Sequence, residues 1–263
     1  MGLAKYIKKY TFALKNKGIK RANKAALYKL ESIVCKKYLK IKSKKSSNII
    51  KNPYEIILVP VDAIEDMYIY NESNKVKLNM RKWRFIFFNC RMSGLIMDGD
   101  WDLNNNKKFS KYDIYKAFKE RFIQNKSWED TLYFDIFHDR LQKNGEGRGG
   151  IKTFKCLKDN YLLKWDELYD EIKRNGYKSQ LELNNGNLTN EIQILVARDG
   201  NILFRDGRHR LSIAKILGLK KVPVIVNVWH KEYIDWIKDN TDIDKITPKT
   251  AIKPILDGRK IYG

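Results

Sequence analysis

The segment "EIQILVARDGNILFRDGRHRLSIAKILGLKKVPVIVNV" (191–228) constrains this chain more than any other. Its first apolar run, 191–197, is too short for a stable helix and reads as a buried strand. Asp199-Gly200 is a favoured hairpin dipeptide, so the chain turns back into a short strand at 201–205. A helix is expected at about 207–217, with Gly218 in the position that follows a helix end. "VPVIV" then opens a closing strand over 222–228. Hairpin, helix and strand in one short segment put the chain in the α+β class.

Elsewhere the pattern is mostly helical. "YEIILVPVDAI" (54–64) reads as a strand ending at Pro60, and "WRFIFFN" (83–89) as a second strand. "FSKYDIYKAFKERF" (109–122) repeats Phe109, Tyr112, Tyr115, Phe118 and Phe122 at helical spacing, which is a core stripe. A helix is expected over 127–144 with Ser127 as N-cap, broken by "NGEGRGG" (144–150). Another is expected over 164–180, with Leu168, Tyr169 and Ile172 inward and an end near Gly176. The C-terminal "TPKTAIKPILDGRKIYG" reads as irregular chain that docks its apolar residues on the domain.

The charge is unevenly distributed. Residues 1–51 hold sixteen Lys/Arg against one acid, Glu31, so about two thirds of the net +22 lies in one fifth of the chain. Leu3, Ile7, Tyr10 and Leu14 mark one helical face in this arm, and a second helix is expected over 22–40. Lys5, Lys8, Lys9, Lys15, Lys20 and Arg21 are the candidate contacts to an acidic partner, either an anionic membrane surface or nucleic acid. The ordered apolar stripe favours a membrane or packed-helix role, because a nucleic-acid arm needs only charge. "KSKKSSN" (42–48) is the expected linker, giving an arm at 1–50 and a domain at 51–263. No run reaches the roughly 20 apolar residues of a membrane span, and no secretory apolar stretch opens the chain. Cys35, Cys90 and Cys156 are far apart, with neither a disulfide framework nor a zinc spacing. A cytoplasmic protein without a disulfide partner is expected, peripheral on the inner face of the membrane through its arm.

Arg205, Asp206, Gly207, Arg208, His209 and Arg210 surround the start of the 207–217 helix. A helix N-terminus carries unpaired N–H groups and a partial positive charge, so stability alone would place acids there. Bases there point to a bound anion. Gly207 allows close backbone approach, arginines offer forked hydrogen bonds to phosphate, and His209 adds a donor. Asp206 either caps a first-turn amide or holds a metal ion that bridges to the phosphates.

These residues also carry a family resemblance. "LYDEIKRNGYKSQ" (168–180), "RDGNILFRDGRHRLSIAKILGL" (198–219) and the 222–226 strand resemble the ParB/sulfiredoxin-like fold family. The resemblance implies a small mixed-sheet core over 54–65 and 165–230, a largely helical insertion at about 66–163, and the basic helical arm. It implies a nucleoside phosphate (ATP, ADP or CTP) held by Gly207, His209 and Arg210. Arg208 stands where sulfiredoxin-like members have their cysteine, which excludes sulfinic-acid reduction. About 35 residues follow Trp229, too few for the DNA-reading part of ParB.

A second motif, "MDGDWDL" (97–103), alternates Asp98, Asp100 and Asp102. In extended chain these share one face. They are the candidate catalytic acids, with Asp100 and Asp102 as ligands for Mg²⁺, an ion that takes hard oxygen donors. The plainer reading is a polar loop with Trp101 as a core anchor. "WEDT" (128–131) reads as a helix start, and His138 and His230 as satisfied, partly buried histidines. Together these features lead to the expectation of a Mg²⁺-dependent, kinase-like phosphotransferase acting near a membrane on a small-molecule or glycan-type acceptor. The alternatives are a ParB-like DNA-binding protein or nuclease, and a non-catalytic nucleotide-sensing regulator.

Overall fold

The computed structural model describes residues 49–68, 93–103, 107–147, 151–183, 188–259 and 261. The helices expected at 3–16 and 22–40, the strand at 83–89, and the arm residues from Lys5 to Arg21 lie outside the described residues.

Six strands form one mixed sheet: β1 (Ile57–Pro60), β2 (Asp66–Met67), β3 (Leu95–Met97), β4 (Ile192–Val196), β5 (Ile202–Asp206) and β6 (Lys221–His230). The order is β1-β6-β4-β5-β2, with β3 also on β6. β4 pairs antiparallel with β5 and parallel with β6. All five β4 residues are buried, as expected of a central strand covered on both faces. Period-2 alternation divides its side chains. Ile192, Ile194 and Val196 enter the main core, and Leu195 joins Met97, Trp101, Leu203 and Val228 on the other face.

The helices are α1 (Asp113–Phe122), α2 (Leu132–Asn144), α3 (Phe154–Leu157), α4 (Leu163–Asn175), α5 (Arg208–Ile216), α6 (Lys231–Asn240) and α7 (Pro248–Leu256). A π-helical turn, Lys158–Leu162, joins α3 to α4. Residues of α5, α6 and α7 pack on the Ile192 face of the sheet. Helices α1 to α4 form a second core, which includes Ile213 of α5. Helix α5 therefore links the two cores: Leu211 and Ala214 face the sheet and Ile213 faces the helical layer.

Several expectations change here. The 66–163 segment, expected to be largely helical, also gives the sheet two short strands, since β2 and β3 pair with β5 and β6. The N-cap of α2 is Thr131, whose Oγ1 accepts from Tyr133 N at 3.2 Å. Ser127 instead donates to Asp130 Oδ2 at 2.7 Å. Burial of Trp128, tied by its Nε1–H to Asp166 at 2.8 Å, holds 128–130 as a separate 3₁₀ turn. The 109–122 stripe also begins as a 3₁₀ turn (Phe109–Lys111), with Tyr112 extended before α1. The tail docks as expected, but as helix α7, started by a Thr247–Thr250 capping box and Pro248. Among the described residues, no helix is long and apolar enough to cross a membrane.

Candidate functional site

The β5–α5 turn is held by close packing. Gly207 has φ +92°, and a Cβ there would lie 2.9 Å from Ile192 Cα and 3.3 Å from the Glu191 carbonyl oxygen. Only glycine fits both that conformation and that space. Gly207 is the N-cap of α5, and no side chain caps the helix. Asp206 Oδ1 accepts from Gly207 N at 2.7 Å. That oxygen is therefore engaged one residue before the helix, and Asp206 does not cap the second or third helical amide. The first turn of α5, Arg208 to Arg210, thus begins without a side-chain cap.

The six motif residues do not converge as one patch. By strand alternation Arg205 shares the Leu203 face, where the Tyr68 ring system lies. Burial lowers the proton affinity of its guanidinium, against the opposing effect of Asp206, and its Nη1 has no hydrogen-bond partner. His209 turns into the helical layer. It is 7% exposed, stacks on Trp165 at 4.2 Å between ring centres, and has the hydroxyls of Tyr133 and Tyr161 each 3.3 Å from Nε2. The π-helical turn carries Tyr161 to this contact. Beside it, a cavity of about 20 Å³ between Tyr133, Phe137, Leu157 and Arg208 has room for one water molecule. Arg208 donates through Nη1 to the Tyr112 hydroxyl. Arg210 is half-buried and faces Glu191 and Tyr177, whose charges it influences. Of the three first-turn side chains, Arg208 and His209 thus tie the turn to the helices, and Arg210 lies toward Glu191 and Tyr177.

Glu191, Tyr177 and Gln180 escaped notice in the sequence. Glu191 is 1% exposed at the head of β4. One of its oxygens accepts from Gln180 N–H, and Oε2 has no partner. Burial pushes its carboxyl above the usual range, against the Gln180 hydrogen bond and the Arg210 charge. Burial likewise raises the Tyr177 phenol, whose hydroxyl also has no partner. The available signal was a lone acid opening an apolar strand, "NEIQILV". Five buried side-chain polar atoms lack partners among the described residues: Glu191 Oε2 and Tyr177 OH beside Arg210, Arg205 Nη1 on the opposite sheet face, Trp165 Nε1 in the helical layer, and Trp229 Nε1. Native interiors satisfy nearly all such groups.

The aspartates lie elsewhere. β4 runs from Ile192, beside Gly207, to Val196, which pairs with Trp229. β3 pairs with the same end of β6, Met97 opposite His230. Residues 98–102 therefore sit at the far end of the sheet from the basic turn, about 13 Å away along β4 at ~3.3 Å per residue. There Arg198 binds them together. Its Nε reaches Asp102 Oδ2 at 3.0 Å, and Nη2 reaches Asp100 at 2.8 Å and the Gly99 carbonyl at 3.1 Å. The Arg198 backbone N–H adds 2.9 Å to Asp102 Oδ2. Burial opposes the Asp102 charge, but the Arg198 hydrogen bonds win and hold its carboxyl below the ordinary range. Asp102 is 2% exposed, and Trp101 is buried as the plainer reading expects.

Asp100 and Asp102 thus ligate an arginine, and Asp98 binds its neighbour's amide, Gly99 N, at 2.8 Å. Among the described residues, Asp98, His230 and Glu232 are the grouping close enough to share a metal. Both ring nitrogens of His230 are already engaged, Nε2 with the Gly99 carbonyl at 2.8 Å and Nδ1 with Glu232 N at 3.2 Å. The satisfied role expected for His230 is what its contacts give. The expectation that the three aspartates serve the basic turn is corrected by this placement.

Against known protein families, curated proteins and solved structures, the chain has no match.

Proposed function

We propose that this chain binds nucleoside phosphates at the N-terminus of α5. The observation that carries the reading is an uncapped helix start with Arg208 and Arg210 in its first turn and a sterically required glycine before it. Backbone amides and guanidinium forks are the donors that phosphate oxygens select. The two buried polar atoms without partners beside Arg210, Glu191 Oε2 and Tyr177 OH, support it. So does the order β4–hairpin–β5–turn–α5–β6, which is what the resemblance to ParB/sulfiredoxin-like proteins implies for nucleotide-binding members. Asp206, exposed at the turn, is the carboxylate that would share Mg²⁺ with the phosphates. When bound, that ion would offset phosphate charge.

Phosphoryl transfer to a small-molecule or glycan-type acceptor, near a membrane met by residues 1–50, is the enzymatic form of this reading. A non-catalytic nucleotide sensor is the second. It is favoured by the distance of Asp98, Asp100 and Asp102 from the turn and by the pairing of Asp102 with Arg198.

The test is equilibrium binding and thermal shift of the full chain with ATP, ADP, CTP and GTP, with and without Mg²⁺. At least one nucleotide is expected to stabilise the protein. Arg210→Ala is expected to weaken it about 10- to 100-fold, the worth of a charge-assisted hydrogen bond of ~1.5–3 kcal/mol. Stabilisation by none of them refutes the reading. Turnover of the bound nucleotide separates enzyme from sensor, and liposome against DNA capture with and without residues 1–51 identifies the partner of the arm.

A further inference from the structure

We infer that anion binding at the α5 turn is coupled to protonation of Glu191, so that a phosphate group and a proton are taken up together. This rests on the reading of the turn as a phosphate site and adds a residue and a regulation to it.

The geometry is a cluster with one cation and two claims on it. Glu191 is packed against the turn: its carbonyl oxygen lies 3.3 Å from where a Gly207 Cβ would be. Its carboxylate is 1% exposed, with one oxygen on Gln180 N–H and the other without a partner. The groups that face it are Arg210 from α5, and Tyr177 and Glu182 from the chain after α4. Arg210 is the cation of this set. It lies in the same first turn as the amides that would hold a phosphate, so a bound phosphate draws on the same guanidinium.

Two anions beside one cation, out of water, repel. Protonating Glu191 removes the repulsion and leaves Arg210 to the ligand. Burial and the Glu182 charge already favour the protonated acid, while Arg210 and the Gln180 amide oppose it. The bound anion weakens Arg210's hold and adds its own negative charge, so the carboxyl's proton affinity rises further. By reciprocity, lower pH must tighten anion binding. For one coupled proton the limit is about tenfold in Kd per pH unit. The effect falls between the proton affinities of Glu191 in the free and the bound protein, both above the ordinary carboxylate range.

The experiment uses the full chain with sulfate, which stays a dianion throughout, and with ADP. Kd is measured from about pH 5 to about pH 8, and proton uptake by calorimetry in two buffers of different ionisation enthalpy. Sulfate is expected to bind more tightly as pH falls, with net proton uptake. Glu191→Gln, which keeps an acceptor for Gln180, is expected to bind with a flat pH profile and no uptake. Measurable sulfate binding without pH dependence or uptake in the wild-type protein overturns the coupling, and needs no variant to be folded. A folded Glu191→Gln that keeps the wild-type slope also overturns it, and assigns the proton to another group. Binding of neither probe at any pH overturns the phosphate reading itself, and the coupling with it.

Discussion

Replacing Gly207 by alanine tests the geometry of the turn directly. Gly207 sits at φ +92°, where an L-residue costs about 1–2 kcal/mol. The new Cβ would also press on backbone, 2.9 Å from Ile192 Cα and 3.3 Å from the Glu191 oxygen. Neither contact can swing aside like a side-chain tip, because Ile192 is pinned in the central strand between β5 and β6. Forced overpacking of this kind adds about 1–3 kcal/mol, for a total near 2–5 kcal/mol. Gly218 at the other end of α5 is the internal control. Its φ is +64° but nothing lies within 4 Å of its Cβ position, so only the conformational cost applies. Urea unfolding of both alanine variants should therefore show Gly207→Ala shifting the midpoint about 1.5 to 4 times as far, at unchanged slope. Equal shifts would mean that the turn relaxes away from Ile192, and the steric account would be wrong. A nucleotide that stabilises the wild-type protein should lose that effect in Gly207→Ala and keep it in Gly218→Ala.

Asp102→Asn should destabilise by about 2–4 kcal/mol, since it leaves Arg198 without its buried partner, read again by urea unfolding. The same pair sets a pH dependence. Asp102 has a lowered proton affinity in the folded state, so its contribution is complete above the unfolded carboxylate value and is lost as pH falls through the lower folded value. Wild-type stability should thus drop more steeply on acidification than that of Asp102→Asn. Asp100→Ala, at a residue 77% exposed, should change stability by less than about 1 kcal/mol and leave nucleotide binding intact. His209→Ala should cost about 2–4 kcal/mol by emptying the space between Trp165 and Phe118, visible as a loss of thermal stability without added ligand.

The elements around the turn were legible because their signals are local. Strand 192–196 is an uninterrupted apolar run, Asp199-Gly200 is a hairpin pair, and Gly207 and Gly218 bracket a nine-residue helix, so sequence periodicity alone located β4, β5, α5 and β6. Local chemistry also explains why the 205–210 cluster stands out. What a linear reading could not supply was direction. Alternation sends Arg205 to the opposite sheet face, and helix geometry sends His209 into the α1–α4 layer, so six adjacent residues serve three surroundings. Nor could it foresee that β2 and β3, two and three residues long, join the sheet, since strands so short have no periodicity to read.

By itself the sequence determined the α+β class, the position of a basic helix start, and a glycine before it. These depend on residue type and spacing within one segment. Only the tertiary structure decided which charges meet. It joined Asp102 to Arg198 across 96 positions of chain and set Glu191 against the turn that holds Arg210. It also put the acidic motif and the basic motif at opposite ends of one strand. Such pairings are long-range, and the burial that gives them their strength exists only once the sheet has closed.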